Sequence, residues 1–347
     1  EAGSYTVSQS NLAGLGYNVG SITNGTLTVN PKALSISGLT AQDKTYDGSD
    51  AATLSAAGSL DGVETGDTVS FTTASTFNNE NVELTKTLDL DYTLAGAHSG
   101  NYTLADETGV ATAAQITAKA IAVTAGAKSK TYGSADPTLT YTTDVSLVSG
   151  DSFTGALSRA AGEDVGTYAI AQNTLAIDDG NGGNNYTLTY TGADLTIDPL
   201  AITVTADAKS KTYGDADPAL TSSGDIALVS GDSFTGALSR ASGEDVGTYA
   251  INQGTLAIND GNSGNNYTLT YTGADLTIDP LAITVTADTL AKTYGDTDPS
   301  LTYSGDVSLA SGDSFTGALS RAAGEDVGNY AIAQNTLAID DGNGGNN

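Results

Sequence analysis

The sequence of 347 residues contains no cysteine, methionine or tryptophan and a single histidine, His98. Without cysteine the chain has no disulfide, zinc–thiolate site or iron–sulfur cluster. One imidazole leaves almost nothing for histidine acid–base or metal chemistry. The absence of methionine indicates that the sequence is a section of a longer chain. We therefore expect no catalytic, cofactor-binding or metal-binding residue, and a protein that is not an enzyme.

Basic side chains are also scarce, since 12 Lys and Arg stand against 41 Asp and Glu, for a formal charge of −29. Binding of nucleic acid needs clustered Lys and Arg, so that partner is excluded, and adsorption to an anionic membrane is disfavoured. No apolar stretch approaches the roughly 20 residues of a membrane helix, and no signal-peptide pattern opens the chain. The sequence is 39% hydrophobic and only 15% charged, which is not the profile of a disordered chain.

An internal repeat dominates the sequence. The tetrapeptide Lys-Thr-Tyr-Gly recurs in steps of 81 residues, at Lys130, Lys211 and Lys292. Four other motifs keep the same period, and a diverged copy with Lys-Thr-Tyr-Asp-Gly begins at Lys44. Repeats of this length indicate stacked supersecondary units. The chain is predicted to hold part of a module at 1–31, complete modules at 32–118, 119–199 and 200–280, and a module at 281–347 that stops before its last strand.

Within a module, apolar residues alternate with Thr, Ser or Ala, as Ile202 and Val204 do with the threonines between them. A period of two is typical of half-buried strands, so we predict an all-β fold of five to seven short strands per module. The only helix candidate is a turn or two around 227–232. Asp164-Val165-Gly166-Thr167-Tyr168 resembles a tyrosine corner, which indicates an immunoglobulin-like sandwich, and a β-grasp-like sheet is kept as the alternative.

The connections between modules are short. Asp198-Pro199-Leu200-Ala201 runs from the last strand of one module into the first strand of the next, and proline stiffens such a joint. The array is therefore predicted to form an elongated, semi-rigid rod, with very roughly 30–40 Å for each module.

The ordered motifs Lys-Thr-Tyr-Gly, Gly-Asp-Ser-Phe, Asp-Val-Gly-x-Tyr and Asn-Tyr-x-Leu-x-Tyr resemble the MBG domain of large bacterial surface proteins. The copy that begins at Lys44 resembles the companion YDG domain. Together the two resemblances cover essentially the whole chain. They imply a secreted or cell-surface adhesin, similar to filamentous haemagglutinin and exported by two-partner secretion, and they bring no catalytic motif.

The expected function is that of a non-catalytic extracellular stalk that holds a binding tip away from a bacterial cell or within a biofilm matrix. Its expected partners are the neighbouring modules, with no nucleic acid and no membrane insertion in this section. Two alternatives stay open. The modules themselves could bind glycan or matrix polysaccharide multivalently, or copies of the protein could assemble into an extracellular filament by donating strands.

Loops rich in Asp, Asn and Gly are candidates for calcium, because calcium prefers six to eight oxygen ligands. Their spacing does not match an EF-hand, and Gly and Asn are what a tight turn needs, so a plain turn is favoured. Calcium is the only cofactor that the sequence suggests. The loops span 178–185, 259–262 and 340–343.

Four other features have a chemical and a structural interpretation. The pair Glu163-Asp164 could perform acid–base chemistry, but a site repeated in every module favours an exposed turn. The Lys-Thr-Tyr-Gly lysines could form isopeptide bonds to Asn, or cover a strand edge. The 17 tyrosines could stack on glycans, although their alternating positions favour core packing. The single histidine, His98, is expected to be solvated. Acceptor patterns for N-glycosylation begin at Asn24, Asn101, Asn185 and Asn266.

Overall fold

The computed structural model describes residues 2–7, 21 and 23–347, and its regular structure is almost entirely β. The one helical element in this part of the chain is a 3₁₀ turn at Ser99–Asn101. The all-β prediction is therefore confirmed. No helix among the described residues has the length and apolar character needed to cross a membrane.

The chain divides into two compact units. Unit 1 comprises Glu1–Lys128, Thr138–Ala161 and Tyr168–Leu195, and unit 2 comprises Ser129–Pro137, Gly162–Thr167 and Thr196–Asn347. Residues of the second complete module, 119–199, therefore belong to both units. The two short segments that join unit 2 hold the Lys-Thr-Tyr-Gly turn and the Asp-Val-Gly corner of that module.

The strands of the described residues are short and are numbered in chain order. Those before residue 200 are β1 (Gly3–Val7), β2 (Gly25–Val29), β3 (Lys32–Ala33), β4 (Ser35–Ala41), β5 (Lys44–Thr45), β6 (Leu54–Asp61), β7 (Ser70–Phe77), β8 (Thr87–Ala95), β9 (Tyr102–Thr103), β10 (Glu107–Ala111), β11 (Ile116–Thr117), β12 (Lys119–Ala125), β13 (Lys128–Thr131), β14 (Tyr141–Thr143), β15 (Ser152–Thr154), β16 (Ser158–Arg159), β17 (Gly166–Ala171), β18 (Ala176–Asp178), β19 (Tyr186–Thr191) and β20 (Ala193–Asp198). Those after it are β21 (Leu200–Ala206), β22 (Lys209–Thr212), β23 (Ser222–Gly224), β24 (Ser233–Thr235), β25 (Ser239–Arg240), β26 (Gly247–Asn252), β27 (Ala257–Asn259), β28 (Tyr267–Thr272), β29 (Ala274–Asp279), β30 (Val285–Ala287), β31 (Tyr303–Gly305), β32 (Ser314–Thr316), β33 (Ser320–Arg321), β34 (Ile332–Ala333) and β35 (Ala338–Asp340).

Unit 1 is built from small sheets. In residues 32–118, β8 lies between β10 and β7, while β4 pairs with β6, β3 with β9 and β5 with β11. In the following module, β12 lies between β14 and β19, and β15 pairs with β18. The core of this unit lies on the inner face of β8, where Leu88 and Leu90 are buried beside Phe77 and Ile116.

Unit 2 shows the architecture of a whole module in residues 200–280, all of which are described. One sheet has the order β23-β21-β28 and the other has the order β22-β29-β26-β25, while β24 pairs with β27. The β21–β28 and β22–β29 pairs are parallel. Because both sheets of an immunoglobulin-like sandwich are antiparallel, these parallel pairs depart from that alternative.

The alternating pattern produces these strands because only one face of each is covered. Ile202, Val204 and Ala206 of β21 are buried, while the threonines between them point to the other face. Leu276 and Ile278 of β29 are buried in the same way. Fully burying an aliphatic side chain stabilises a fold by about 1.5–3 kcal/mol, so these few residues carry much of a small core.

Two details of the sequence prediction were wrong. Residues 227–232 form no helix; the chain turns at Ser230 and Gly231, where Gly231 has a φ of 106° and Asp232 N donates to Val229 O at 3.0 Å. The module 200–280 contains nine strands rather than five to seven. The additional ones span two or three residues, which is too short to show a period in the sequence.

Candidate functional site

The repeated motifs meet where one module contacts the next. We call each such contact a joint: the Lys-Thr-Tyr turn of one module lies against the Gly-Asp-Ser-Phe turn of the following one, and a backbone N–H of its Asp-Val-Gly corner donates to an asparagine of that module. In 32–118 the corner is replaced by Asn81-Val82, and in 281–347 the asparagine is Asn347. Between residues 32 and 347, all of which are described, three joints follow each other. The first connects 32–118 to 119–199 and lies in unit 1, and the third connects 200–280 to 281–347 and lies in unit 2. The second is formed wholly by unit 2 residues, with Ser129–Pro137 and Gly162–Thr167 on one side.

A pair of tyrosines forms the centre of the second joint. Tyr132 lies at the tip of its turn, and its ring packs edge-on against Tyr267, with 5.4 Å between the ring centroids. Both hydroxyls donate to the same carboxylate oxygen of Asp232, at 3.1 Å from Tyr132 and 2.6 Å from Tyr267. The Tyr267 hydroxyl also accepts a hydrogen bond from Val229 N at 2.8 Å. The arrangement buries aromatic area and satisfies the hydroxyls, so it fixes the approach of the two modules.

The turn must bring its backbone close to the neighbouring module. Gly133 has a φ of 78°, and a Cβ placed on it would lie 2.5 Å from a methyl carbon of Val229. Only glycine accepts that backbone conformation and that close contact without strain. The glycine of Lys-Thr-Tyr-Gly therefore serves the joint.

The tyrosine pair recurs in the first joint, and its hydroxyl–carboxylate contact recurs in the third. Tyr46 packs edge-on against Tyr186 at 5.5 Å and donates to Asp151 at 3.1 Å. Tyr213 donates to Asp313 at 3.3 Å. The same hydroxyl–carboxylate contact is therefore made three times, between residues about one module apart.

A buried asparagine forms the second half of each joint. Asn266 is fully buried; its Oδ1 accepts Val165 N at 2.8 Å, and its Nδ2 donates to Asp164 Oδ1 at 2.9 Å. The contact recurs in the other joints and also at the start of the chain. Backbone N to asparagine Oδ1 distances are 2.9 Å for Val82 and Asn185, 2.8 Å for Val246 and Asn347, and 2.6 Å for Ala2 and Asn101.

The candidate calcium loops position these asparagines. The Asp260 carboxylate accepts hydrogen bonds from the backbone N–H groups of Asn262, Gly264 and Asn266, at 2.8, 2.7 and 2.9 Å. Asp179 and Asp341 accept the same three hydrogen bonds in their own loops. These hydrogen bonds lower the pKa of Asp260 against the opposing effect of burial. In the described part of the chain no group of three or more acidic or His side chains is placed to hold a metal ion. The carboxylate is occupied by the turn itself, and calcium stays an untested hypothesis.

A cluster of charges supports the Asp-Val-Gly corner of 200–280. Lys211 is buried, and its Nζ lies 2.8 Å from Asp217 and 2.5 Å from Glu244. Arg240 contacts both carboxylates as well, and its guanidinium lies over the ring of Tyr249 at 5.5 Å. The Lys211 ammonium therefore contacts carboxylates rather than the Asn that the isopeptide hypothesis needs. Glu244, the counterpart of Glu163, holds a lysine, which is a structural role.

The predicted tyrosine corner is confirmed at two copies. The Tyr249 hydroxyl donates to Asp245 O at 2.7 Å, and Tyr330 donates to Asp326 O at 2.7 Å. Each bond closes the corner four residues upstream, as in sandwich domains. This holds in place the Val246 N–H that docks on the next module.

Sequence reasoning missed Lys86. Its side chain is buried in 32–118, and its Nζ donates to Asn79 Oδ1 at 2.8 Å and to Asn81 O at 3.1 Å. It supports the loop that docks on Asn185, as Lys211 does in 200–280, but from a different strand. Lysine is almost never fully buried, so no pattern in the sequence marked it.

Two of the predicted glycosylation asparagines lie in the interior of the protein. Asn185 and Asn266 are completely buried, so their side-chain amides are inaccessible for glycosylation once the joints have formed. His98 is only partly exposed, and its Nδ1 accepts a hydrogen bond from Thr68 N at 2.9 Å, so it is not simply solvated.

The tyrosine pairs predict a loss of the joints at alkaline pH. Burial, reinforced by the hydrogen bond to Asp232, raises the pKa of Tyr267 from 10.0 to about 12. A raised pKa in the folded state means that the contribution to stability is complete below pH 10 and is lost as the pH rises to about 12. Tyrosinate absorbance and near-ultraviolet circular dichroism during a titration should show a late class of tyrosines that ionises as the joints open.

Asp232→Asn is the control for that titration, since it keeps the packing but removes the charge that disfavours tyrosinate. In this variant the ionisation of the late class of tyrosines should begin at a lower pH. Ionisation of every tyrosine in a single step near pH 10, without a change in the dichroism, would contradict the assignment.

The charge cluster predicts a loss of stability at acid pH. Hydrogen bonds from Arg240, then from Lys211, lower the pKa of Asp217 from 3.8 to about 2. The contribution of the cluster is therefore present above about pH 3.8 and is lost as the pH falls through 2. The carboxyl carbon shift of Asp217 in a nuclear magnetic resonance titration should report this value, and Arg240→Gln should raise it. A midpoint near 3.8 in the unmodified protein would show that the cluster does not form.

Comparison with known families matches most of the repeated modules. The profile of the MBG domain (YGX type) matches residues 121–196, 202–277 and 283–343, and the profile of the YDG domain matches residues 30–109. A search of curated proteins found no match. The three MBG matches together cover more than half of the sequence, and they follow the YDG match in tandem. The chain belongs to the MBG domain (YGX type) family, and in it one YDG domain precedes three MBG domains in tandem.

Proposed function

We propose that this chain is a non-catalytic extracellular stalk section of a bacterial surface or biofilm-matrix adhesin, whose modules set the distance between a cell and a binding tip. The observation that carries the proposal is the repetition of one joint. Hydroxyl–carboxylate contacts of 3.1, 3.1 and 3.3 Å and backbone–asparagine contacts of 2.9, 2.8 and 2.8 Å recur at three successive boundaries. A spacer needs a defined geometry at each boundary, whereas a string of independent domains does not.

Composition supports the same function. The described residues of the repeated motifs supply the contacts of turns, corners and joints, as Asp260, Tyr249 and Tyr132 do. The charge of −29 keeps neighbouring copies apart in solution. The adhesin context and the secreted location come from the family resemblance and are part of the proposal.

The experiment is to change the number of modules and measure length. Variants with residues 200–280 deleted or duplicated should differ in maximum dimension by a constant step of roughly 30–40 Å in small-angle X-ray scattering. The same step should appear in electron micrographs. A dimension that does not follow module number would overturn the proposal.

The same variants address the multivalent alternative. A spacer shows no binding to polysaccharide at any module number, whereas binding modules gain affinity steeply with each added copy through avidity. Binding that rises with module number would replace the stalk by a multivalent matrix protein.

A further inference from the structure

Lys86 carries an amino group in the interior of residues 32–118, next to the side-chain amide of Asn79. The Lys86 side chain is 0% exposed, and its Nζ lies 2.8 Å from Asn79 Oδ1. Because a C=O bond is about 1.2 Å long, the Cγ carbon of Asn79 lies within about 4 Å of that nitrogen. A nucleophile and an acyl carbon are therefore placed so that a small movement brings them into reacting contact.

The carbonyl group of Asn79 accepts a second hydrogen bond, which activates it towards attack. Asn81 N donates to Asn79 Oδ1 at 2.9 Å. A backbone N–H that points at a carbonyl oxygen stabilises the negative charge that develops on this oxygen when a nucleophile adds to the carbon. Asn79 is only partly buried, so a leaving group released from its Cγ can reach the solvent.

Glu83 supplies a group that can transfer protons at this position. Its Oε2 lies 3.4 Å from Lys86 Nζ, and its side chain is half exposed. A carboxylate so placed can take a proton from the amine and release it later. It is a weaker ionic partner than the two carboxylates that lie 2.8 and 2.5 Å from the Lys211 ammonium. Burying an ammonium without a close ion pair is costly, so a reaction that removes the charge is favoured at Lys86 and not at Lys211.

We propose that residues 32–118 contain a modification site at which Lys86 and Asn79 form an intramolecular isopeptide bond after folding, with Glu83 as the proton carrier. The Lys86 ammonium first passes a proton to the Glu83 carboxylate, and the neutral Nζ attacks Cγ of Asn79 to form the Nζ–Cγ bond. A second proton moves from Nζ to Nδ2, and the Cγ–Nδ2 bond breaks. The released ammonia takes up the proton held by Glu83, so the products are a secondary amide and an ammonium ion.

The bond closes the connection between β7 and β8 covalently. Residues 78–86 form this connection, and they include Val82, whose backbone N donates to Asn185 across the first joint. A loop closed by an amide keeps its shape when the surrounding strands separate, whereas the ion pairs of Lys211 that support the equivalent corner in 200–280 are reversible. The covalent link goes beyond the stalk function and does not depend on it.

Mass spectrometry of the denatured 347-residue protein tests the bond. We expect an intact mass that is lower than the mass of the sequence by one ammonia. Proteolysis after Glu80 and Glu83 separates Asn79 from Lys86, so the two resulting peptides should be found joined. Asn79→Ala should have the full mass of its sequence. Asn78→Ala changes the exposed neighbour and is the matched control, which should still lose one ammonia.

Glu83→Gln tests the proton transfer without disturbing the core, because Glu83 is exposed. In samples taken during cell-free synthesis, the linked form of this variant should accumulate at least about 100-fold more slowly. Equal rates in the variant and the unmodified protein would contradict proton transfer by Glu83. The full mass in the unmodified protein, or a loss of ammonia that persists in Asn79→Ala, would overturn the proposal. These masses are independent of the length measurements that test the stalk.

Discussion

Replacing Asn266 by leucine is expected to uncouple the second joint. The substitution keeps the side-chain volume but removes the acceptor of Val165 N and the donor to Asp164. A buried backbone N–H without a partner costs about 1–3 kcal/mol, so the joint should lose about 2–3 kcal/mol. Hydrogen exchange of the Val165 amide should become at least about 30-fold faster, and the melting temperature should fall.

Asn265→Leu is the control for that change. Asn265 is the exposed neighbour in the same loop, and its side chain makes a local hydrogen bond to Asn262 O. Exchange of Val165 should stay close to that of the unmodified protein. Equal effects of the two substitutions would mean that Asn266 acts on its own loop and not on the neighbouring module.

Replacing Asp260 by alanine is expected to have the largest effect of any single change in a loop. Its carboxylate accepts three backbone N–H groups, and the side chain is buried. Losing these charge-assisted hydrogen bonds should destabilise the module by about 3 kcal/mol. Because the loop carries Asn266, chemical denaturation should show both a weaker module and a weaker second joint.

Asn259→Ala provides the comparison, since Asn259 precedes Asp260 and is exposed. It should change the stability by less than about 0.5 kcal/mol. Addition of calcium should leave the melting temperature of the unmodified protein unchanged, because the Asp260 carboxylate is already used. A rise on addition of calcium, abolished in Asp260→Ala, would restore the metal interpretation of these loops.

Much of the fold could be predicted because it depends on local pattern. The alternation of Ile202 and Val204 with threonine predicted β21 and its buried face, and Asp-Val-Gly-x-Tyr predicted the corner that Tyr249 closes. The segment 178–185 contains the expected turn, while its binding of calcium stays an untested hypothesis. In each case the cause lies within a few residues of sequence.

The joints could not be predicted, because their partners lie about 100 residues apart. The repeat identified Tyr132 and Asp232 as members of conserved-looking motifs within this chain, but spacing alone does not show that a hydroxyl reaches a carboxylate of the next module. The contact made by the asparagine of Asn-Tyr-Thr-Leu could not be predicted for the same reason, and this residue was interpreted as a glycosylation acceptor. The faithful repetition of polar residues without catalytic chemistry is the one signal in the sequence from which a contact between repeats could have been inferred.

Distance measurement across the third joint tests the central claim most directly, since the chain has no native cysteine to interfere with labelling. Spin labels on Ser233→Cys and Ser314→Cys, two exposed and equivalent positions in neighbouring modules, report the geometry of the joint by pulsed electron resonance. The account predicts one narrow distance distribution that becomes broad when Tyr213 is replaced by alanine. A broad distribution in the chain with Tyr213 intact would show that the modules are loosely strung, and would contradict a joint of defined geometry.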